Sequence, residues 1–117
     1  MAISQRIYFL HGFRVMLDAD LAELHGVTTS QFNQAIRRNL KRFPRDFMFQ
    51  LTKRDAGILR SQIVISKNSH EGRRFFPYAF TEHGVAMLSS VLRSDRAVQV
   101  NIAIMRLRAS PVGARHA

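Results

Sequence analysis

The chain has 117 residues, 46% of them hydrophobic, with 9 Phe and neither Trp nor Cys. That length suits one domain, and the lack of cysteine excludes a disulfide framework, a thiolate metal site and a thiol nucleophile. Eighteen Lys and Arg against 8 Asp and Glu give a formal net charge of +10, a self-repelling excess that favours a polyanionic partner over a small neutral one.

Of the 18 cations, 15 are Arg and only Lys41, Lys53 and Lys67 are Lys. Arginine's planar fork pairs bidentately with phosphate and with guanine edges, which tilts the choice of polyanion toward nucleic acid. No apolar run reaches the ~18 residues of a membrane span, and the N-terminus lacks the pattern of a secretory leader. The expected location is the cytoplasm.

In chain order, 7–10 and 14–16 are short apolar runs around His11, Gly12 and Phe13, the pattern of a small hairpin. Asp18 is the predicted N-cap of a short helix over 19–25, with Leu21 and Leu24 on one side and Gly26 as its stop. Thr28 or Thr29 restarts the chain as a second helix, predicted to run to Arg42 before Phe43 and Pro44 end it. Residues 47–51 read as a strand with Phe47, Phe49 and Leu51 on one face, and Thr52 with Asp55 forms a capping box for a two-turn helix. Residues 62–65 and 74–80 read as two strands joined by a polar tip over 66–73. Thr81 then caps a helix over 82–92 and Ser94 caps another over 95–108. Pro111 and Gly113 mark 109–117 as a frayed tail.

This order lacks the strand–helix alternation of a parallel sheet. It predicts an α+β fold in a single small domain over 1–108: a helix-turn-helix, a short winged-helix-like hairpin and two C-terminal packing helices.

The two early helices with a tight glycine turn carry the sharpest signal. At about 100° per residue, Phe32, Ile36, Leu40 and Phe43 share one stripe of the second helix. The opposite face holds Ser30, Gln31, Gln34, Arg37, Arg38, Lys41 and Arg42 with no acid among them, and Arg45 lies just beyond. A merely solvated helix usually mixes signs to gain i,i+4 pairs. Thr28, Thr29, Ser30, Gln31 and Gln34 occupy the N-terminal half, where this motif contacts base edges; the cations occupy the C-terminal half, suited to phosphate. Lys67, Arg73 and Arg74 at the hairpin tip are candidates for a basic wing, or else ordinary solubilising charges.

Helix 82–92 has a normal buried face in Val85, Leu88, Val91 and Leu92. Helix 95–108 is apolar on most sides, which places it either in the core or at a subunit contact; a homodimer is the corresponding expectation. Five scattered histidines show no metal-ligand spacing, and Asp18 with Asp20, the one close acidic pair, is explained by a helix start. No phosphate-binding lysine loop or nucleophile elbow occurs, so neither an enzyme, nor a cofactor, nor a small-molecule substrate is expected.

The runs RVMLDADLAEL at 14–24 and FPRDFMFQLT at 43–52 resemble the KilA-N-type DNA-binding domains of phages and bacteria. They are most similar to the branch named after the N-terminal domain of a phage open reading frame product. The runs LRSQIV at 59–64, PYAFTEHGVAMLSSVL at 77–92 and VNIAIMR at 100–106 extend the resemblance over 7–108. It implies a DNA-binding role in phage or prophage transcriptional regulators or antirepressors, docking a basic helix on duplex DNA. Residue chemistry alone also admits a protein-interaction module with an acidic partner, or an RNA-binding domain using Phe75, Phe76 and Tyr78 to stack bases.

Overall fold

The computed structural model describes residues 3–62 and 77–108. A single 3₁₀ turn, Ile3–Arg6, leads into strand β1 (Tyr8–Leu10) and strand β2 (Phe13–Leu17). Leu10 pairs with Phe13, so the loop is His11 and Gly12 alone, both at positive φ (54° and 80°). Two left-handed residues give the turn whose twist matches antiparallel strands, which explains a glycine here. Helix α1 (Asp18–His25) follows, then α2 (Thr29–Arg37), strand β3 (Met48–Gln50), α3 (Lys53–Gln62), strand β4 (Tyr78–Phe80), α4 (Glu82–Leu92) and α5 (Asp95–Arg108).

The strands form one antiparallel sheet in the order β1-β2-β4-β3. The two-residue period of the strands divides the core in two. Met16, Met48 and Phe80 point to one face, where α1, α2, α4 and α5 supply Leu21, Phe32, Ile36, Val85, Leu88, Val100 and Ile104. Tyr8, Leu10, Val15, Leu17 and Ala79 point to the other, where Leu51 and Leu59 of the α3 segment cover them. The fold is α+β, as expected, with helices on both faces of the sheet.

Besides the length of the second helix, three predicted elements need correction. Residues 62–65 and 74–80 are predicted to pair as a hairpin; 63–65 and 74–76 lie outside the described residues, but Gln62 is the last residue of α3, and Tyr78–Phe80, as β4, lies inside the sheet between β2 and β3. The Gln62 side chain caps the sheet edge instead: its Oε1 accepts from Phe9 N and its Nε2 donates to Phe9 O, both at 2.9 Å. A side-chain amide thus occupies backbone groups that would otherwise be open to another strand. The predicted wing residues Lys67, Arg73 and Arg74, with the tip over 66–73 and the tail over 109–117, lie outside the described residues.

Second, Phe47, Phe49 and Leu51 do not share one face. Phe47 precedes the strand and packs with the α1/α2/α4 cluster, whereas Phe49 and Leu51 pack on the α3 side. Third, Asp18 does not cap α1 from outside. It is the first helical residue and 2% exposed; its Oδ1 accepts from Ala19 N (2.7 Å), and its Oδ2 accepts from Asn33 Nδ2 (3.1 Å) and Tyr78 N (3.3 Å). One carboxylate therefore ties α1 to α2 and to β4. Asp20 pairs with Arg6; burial pushes its carboxyl above the usual aspartate range, and Arg6 works against that rise. The acidic pair is consumed by the fold.

The Thr52–Asp55 box is present in both directions: Asp55 N donates to Thr52 Oγ1 (3.1 Å) and Thr52 N donates to Asp55 Oδ2 (2.9 Å). His11 Nε2 also donates to Asp55 Oδ1 at 2.9 Å, while its ring stacks on Phe49 at 4.3 Å. The β1–β2 turn is thereby fastened to the start of α3.

Candidate nucleic-acid interface

Helices α1 and α2 form the expected helix-turn-helix pair. Gly26 closes α1 in the left-handed region (φ 73°); its N–H reaches Glu23 O (3.1 Å), and Val27 N reaches Ala22 O (3.0 Å). The turn is pinned from outside by α5, since Arg96 Nε donates to Leu24 O at 2.8 Å. Thr28 is the N-cap of α2. Its Oγ1 accepts from Gln31 N and its own N–H donates to Gln31 Oε1, both at 3.0 Å, completing a capping box. Gln31 thus spends its carbonyl oxygen on the cap and keeps only its amide N–H groups for a ligand, so it cannot make the two-way pair with adenine that sequence suggests.

The second helix is shorter than predicted. It ends at Arg37, and after Arg38 and Asn39 the chain continues as a 3₁₀ turn, Leu40–Arg42. The break sits at Asn39, whose N–H bonds Ile36 O (2.9 Å) in the tighter spacing while its Nδ2 donates to Ala35 O (2.9 Å). An Asn side chain that competes for helix carbonyls favours such an ending. Tightening the spacing rotates Leu40 off the apolar stripe, and it is 53% exposed rather than packed. Phe43 returns to the core. Phe32 and Phe43 both meet Phe80 of β4 edge to face, at 5.5 and 5.8 Å. These two contacts clamp the segment at both ends, Ile36 is buried between them, and the polar face from Ser30 to Arg42 is left outside.

Ser30, Gln31, Gln34, Arg37, Arg38, Lys41, Arg42 and Arg45 are all exposed, as is Thr28, while Thr29 is half-buried. Ion pairs among the described residues join Arg6 to Asp20 and Glu23 and His11 to Asp55. None involves Arg37, Arg38, Lys41, Arg42 or Arg45. Among the described residues Arg42 Nη1 reaches the neutral Ser90 Oγ of α4, at 3.5 Å. Arg37 and Arg38 lie at the C-terminal end of α2, where the helix dipole favours cations by about 0.3–1 kcal/mol each, so the fold accounts for part of their placement. Lys41, Arg42 and Arg45 lie beyond that helix and gain nothing comparable.

Sequence reasoning missed two features of this region. Phe9 (61% exposed) and Phe13 project from the β1–β2 hairpin, and the Arg14 guanidinium sits 6.0 Å from the Phe9 ring centre. They line a groove of about 350 Å³ with Gly12, Thr81, Glu82 and His83. The signal was available in the strict alternation of Tyr8, Phe9 and Leu10, which buries its first and third members and must expose the second. By contrast Tyr78, a predicted stacking residue, is half-buried against the core, and Phe75 and Phe76 lie outside the described residues. The other feature is His25, 7% exposed at the end of α1 with no hydrogen-bond partner on either ring nitrogen among the described residues.

Burial, and secondarily the charge of Arg96, hold the His25 pKa below its ordinary value of 6.5. The unfolded chain takes up this proton more readily than the folded one, so stability is expected to fall as pH drops below about 6.5. Melting curves of the wild type and of His25→Leu between neutral and mildly acid pH check this. The variant is expected to lose the part of the pH slope due to His25, and identical slopes would refute the assignment.

No group of three or more His, Asp or Glu among the described residues could hold a metal ion, and no helix among them is long and apolar enough to cross a membrane. No curated protein and no solved structure matches the chain. The profile of the ORF6N domain, a family derived from a phage open reading frame, matches residues 5–91. These span β1 through nearly all of α4, including the helix-turn-helix, its basic turn and the β4–α4 packing; the chain belongs to the ORF6N domain family.

Proposed function

We propose that this chain is the DNA-binding module of a phage- or prophage-derived regulator or antirepressor, working in the cytoplasm and laying α2 and the basic turn after it along duplex DNA. The observation that carries this reading is the run Arg37, Arg38, Lys41, Arg42 and Arg45: five exposed cations within nine residues, none with a carboxylate partner among the described residues. Like charges this close repel, and a phosphate backbone turns the repulsion into attraction. The phage origin of the family and the similarity to KilA-N-type domains support DNA over other polyanions. In this reading Ser30, Gln34 and the free amide N–H groups of Gln31 face the bases, and the five cations hold phosphates.

A salt titration of binding to duplex DNA tests it. Neutralising about five phosphates gives a log–log slope of roughly −4 to −5, and a flat response would remove the electrostatic basis of the proposal. A second reading, a single-stranded DNA or RNA target, is favoured by the exposed Phe9 and Phe13 with Arg14 beside them, since aromatics and Arg stack on unpaired bases. The same titration on single-stranded DNA and RNA decides between the two. Capture of an acidic protein that survives nuclease treatment would point instead to a protein-interaction role.

A further inference from the structure

Helix α5 has two apolar faces, and the domain uses one of them. Ala97, Val100 and Ile104 are buried against α1 and α4. Val98 (47% exposed), Ile102 (36%) and Met105 (48%) form a second stripe, open to solvent. Their spacing, i, i+4 and i+7, is that of a two-helix seam, and at about 100° per residue the three fall within roughly 60° of one another. The helix also begins four residues beyond the ORF6N match, so this face is not part of what the family profile describes.

We infer that this stripe is the contact between two copies of the chain, packed antiparallel along α5. The direction follows from charge. Asp95 at the start of the helix and Arg106 near its end are exposed, have no ion pair among the described residues, and lie on the same flank of the stripe, roughly 60–80° from Val98. In a twofold antiparallel pair, same-flank residues from opposite ends of the helices meet, so each Asp95 abuts the other copy's Arg106. In a parallel pair the same flanks fall on opposite sides of the seam, so neither Asp95 nor Arg106 would meet its opposite charge on the other copy. Three apolar side chains per copy bury far less than the ~1,600 Å² of a standard stable interface, which makes this a weak, concentration-dependent dimer. Two copies at +10 each also repel through space. Added salt screens that repulsion and so strengthens the dimer, opposite in sign to its effect on phosphate contacts.

Sedimentation equilibrium of the full chain, without nucleic acid, at low and high salt tests the proposal. The wild type is expected to show a monomer–dimer equilibrium that shifts toward dimer as salt rises. Ile102→Glu is expected to weaken it at least tenfold, with an unchanged circular dichroism melt because Ile102 lies outside the core. Asp95→Arg and Arg106→Asp are each expected to weaken association, and the double swap to restore it. A chain that stays monomeric at every concentration and salt, or a dimer indifferent to Ile102→Glu, overturns the contact. A double swap that fails to restore the dimer overturns the antiparallel arrangement. None of these outcomes depends on whether the chain binds DNA.

Discussion

Replacing Arg37 and Arg38 together by Ala is expected to weaken binding to duplex DNA about a hundredfold at moderate salt without unfolding the domain. Both side chains are exposed and unpaired among the described residues, and they flank the end of α2 rather than its buried stripe. Their removal costs the fold at most the dipole contribution, about 0.3–1 kcal/mol each, partly offset by alanine's helix propensity. On the DNA side, each charge-assisted hydrogen bond contributes about 1.5 kcal/mol, and two of them correspond to roughly two decades of affinity. The log–log salt slope is expected to become shallower by about 2, one for each phosphate left without its cation. Lys53→Ala with Arg54→Ala is the matched control. It removes the same net charge from exposed positions on α3, on the other face of the sheet. If the α3 pair weakens binding as much as the α2 pair, the protein is responding to total charge, and the helix-turn-helix loses its assignment. If neither pair matters, DNA is the wrong partner.

What the sequence made legible here follows the reach of each signal. Caps and glycine stops are local, and they placed α4 and α5 at their observed bounds and the Thr52–Asp55 box at the start of α3. The core face of α2 is legible at Phe32 and Ile36, because a 3.6-residue period holds as far as the helix does. It fails at Leu40, where Asn39 changes the period to that of a 3₁₀ turn, and no apolar pattern announces that change. The sheet is less legible. That β4 lies between β2 and β3 depends on pairings across 28 to 64 residues, and a run such as Tyr78–Phe80 looks the same in a hairpin and in a sheet interior. The basic surface is visible as charge spacing, but the capping role of Gln31 is not, since a residue that reads bases and one that closes a helix can be the same amide. The second face of α5 shows in the sequence only as an excess of apolar residues. Which of them stay exposed is decided by where α1 and α4 pack.

Gly84→Ala is expected to destabilise the domain by about 3 kcal/mol, although in an isolated helix the same change is favourable by roughly 0.5–1 kcal/mol. Gly84 lies in the first turn of α4, and a Cβ built there would fall 2.0 Å from Phe47 O and 2.9 Å from Phe47 C. These are backbone atoms and cannot rotate aside. They are also held: Phe47 O accepts from Thr81 N (3.0 Å), Thr81 Oγ1 donates to Asp46 O (2.7 Å), and Phe47 N is bound to Pro44 O (2.8 Å). To admit a methyl group, α4 must lift from the segment before β3, carrying Val85 and Leu88 away from Phe80 and loosening the ring packing that seats Phe43. Overpacking of this kind typically costs ~1–3 kcal/mol, and a rigid obstacle places it at the upper end. For a chain of this size that corresponds to a fall in Tm of about 10 °C or more. A thermal melt reads it directly, and an unchanged or raised Tm would mean that α4 and the Phe47 carbonyl do not approach as closely as described. Because Phe43 closes the basic turn, DNA affinity is expected to fall with stability here while the salt slope keeps its value, since every cation is still present. That combination separates a change in the scaffold from the Arg37 and Arg38 substitutions, which lower affinity and slope together and shift the melt by no more than the lost dipole contribution.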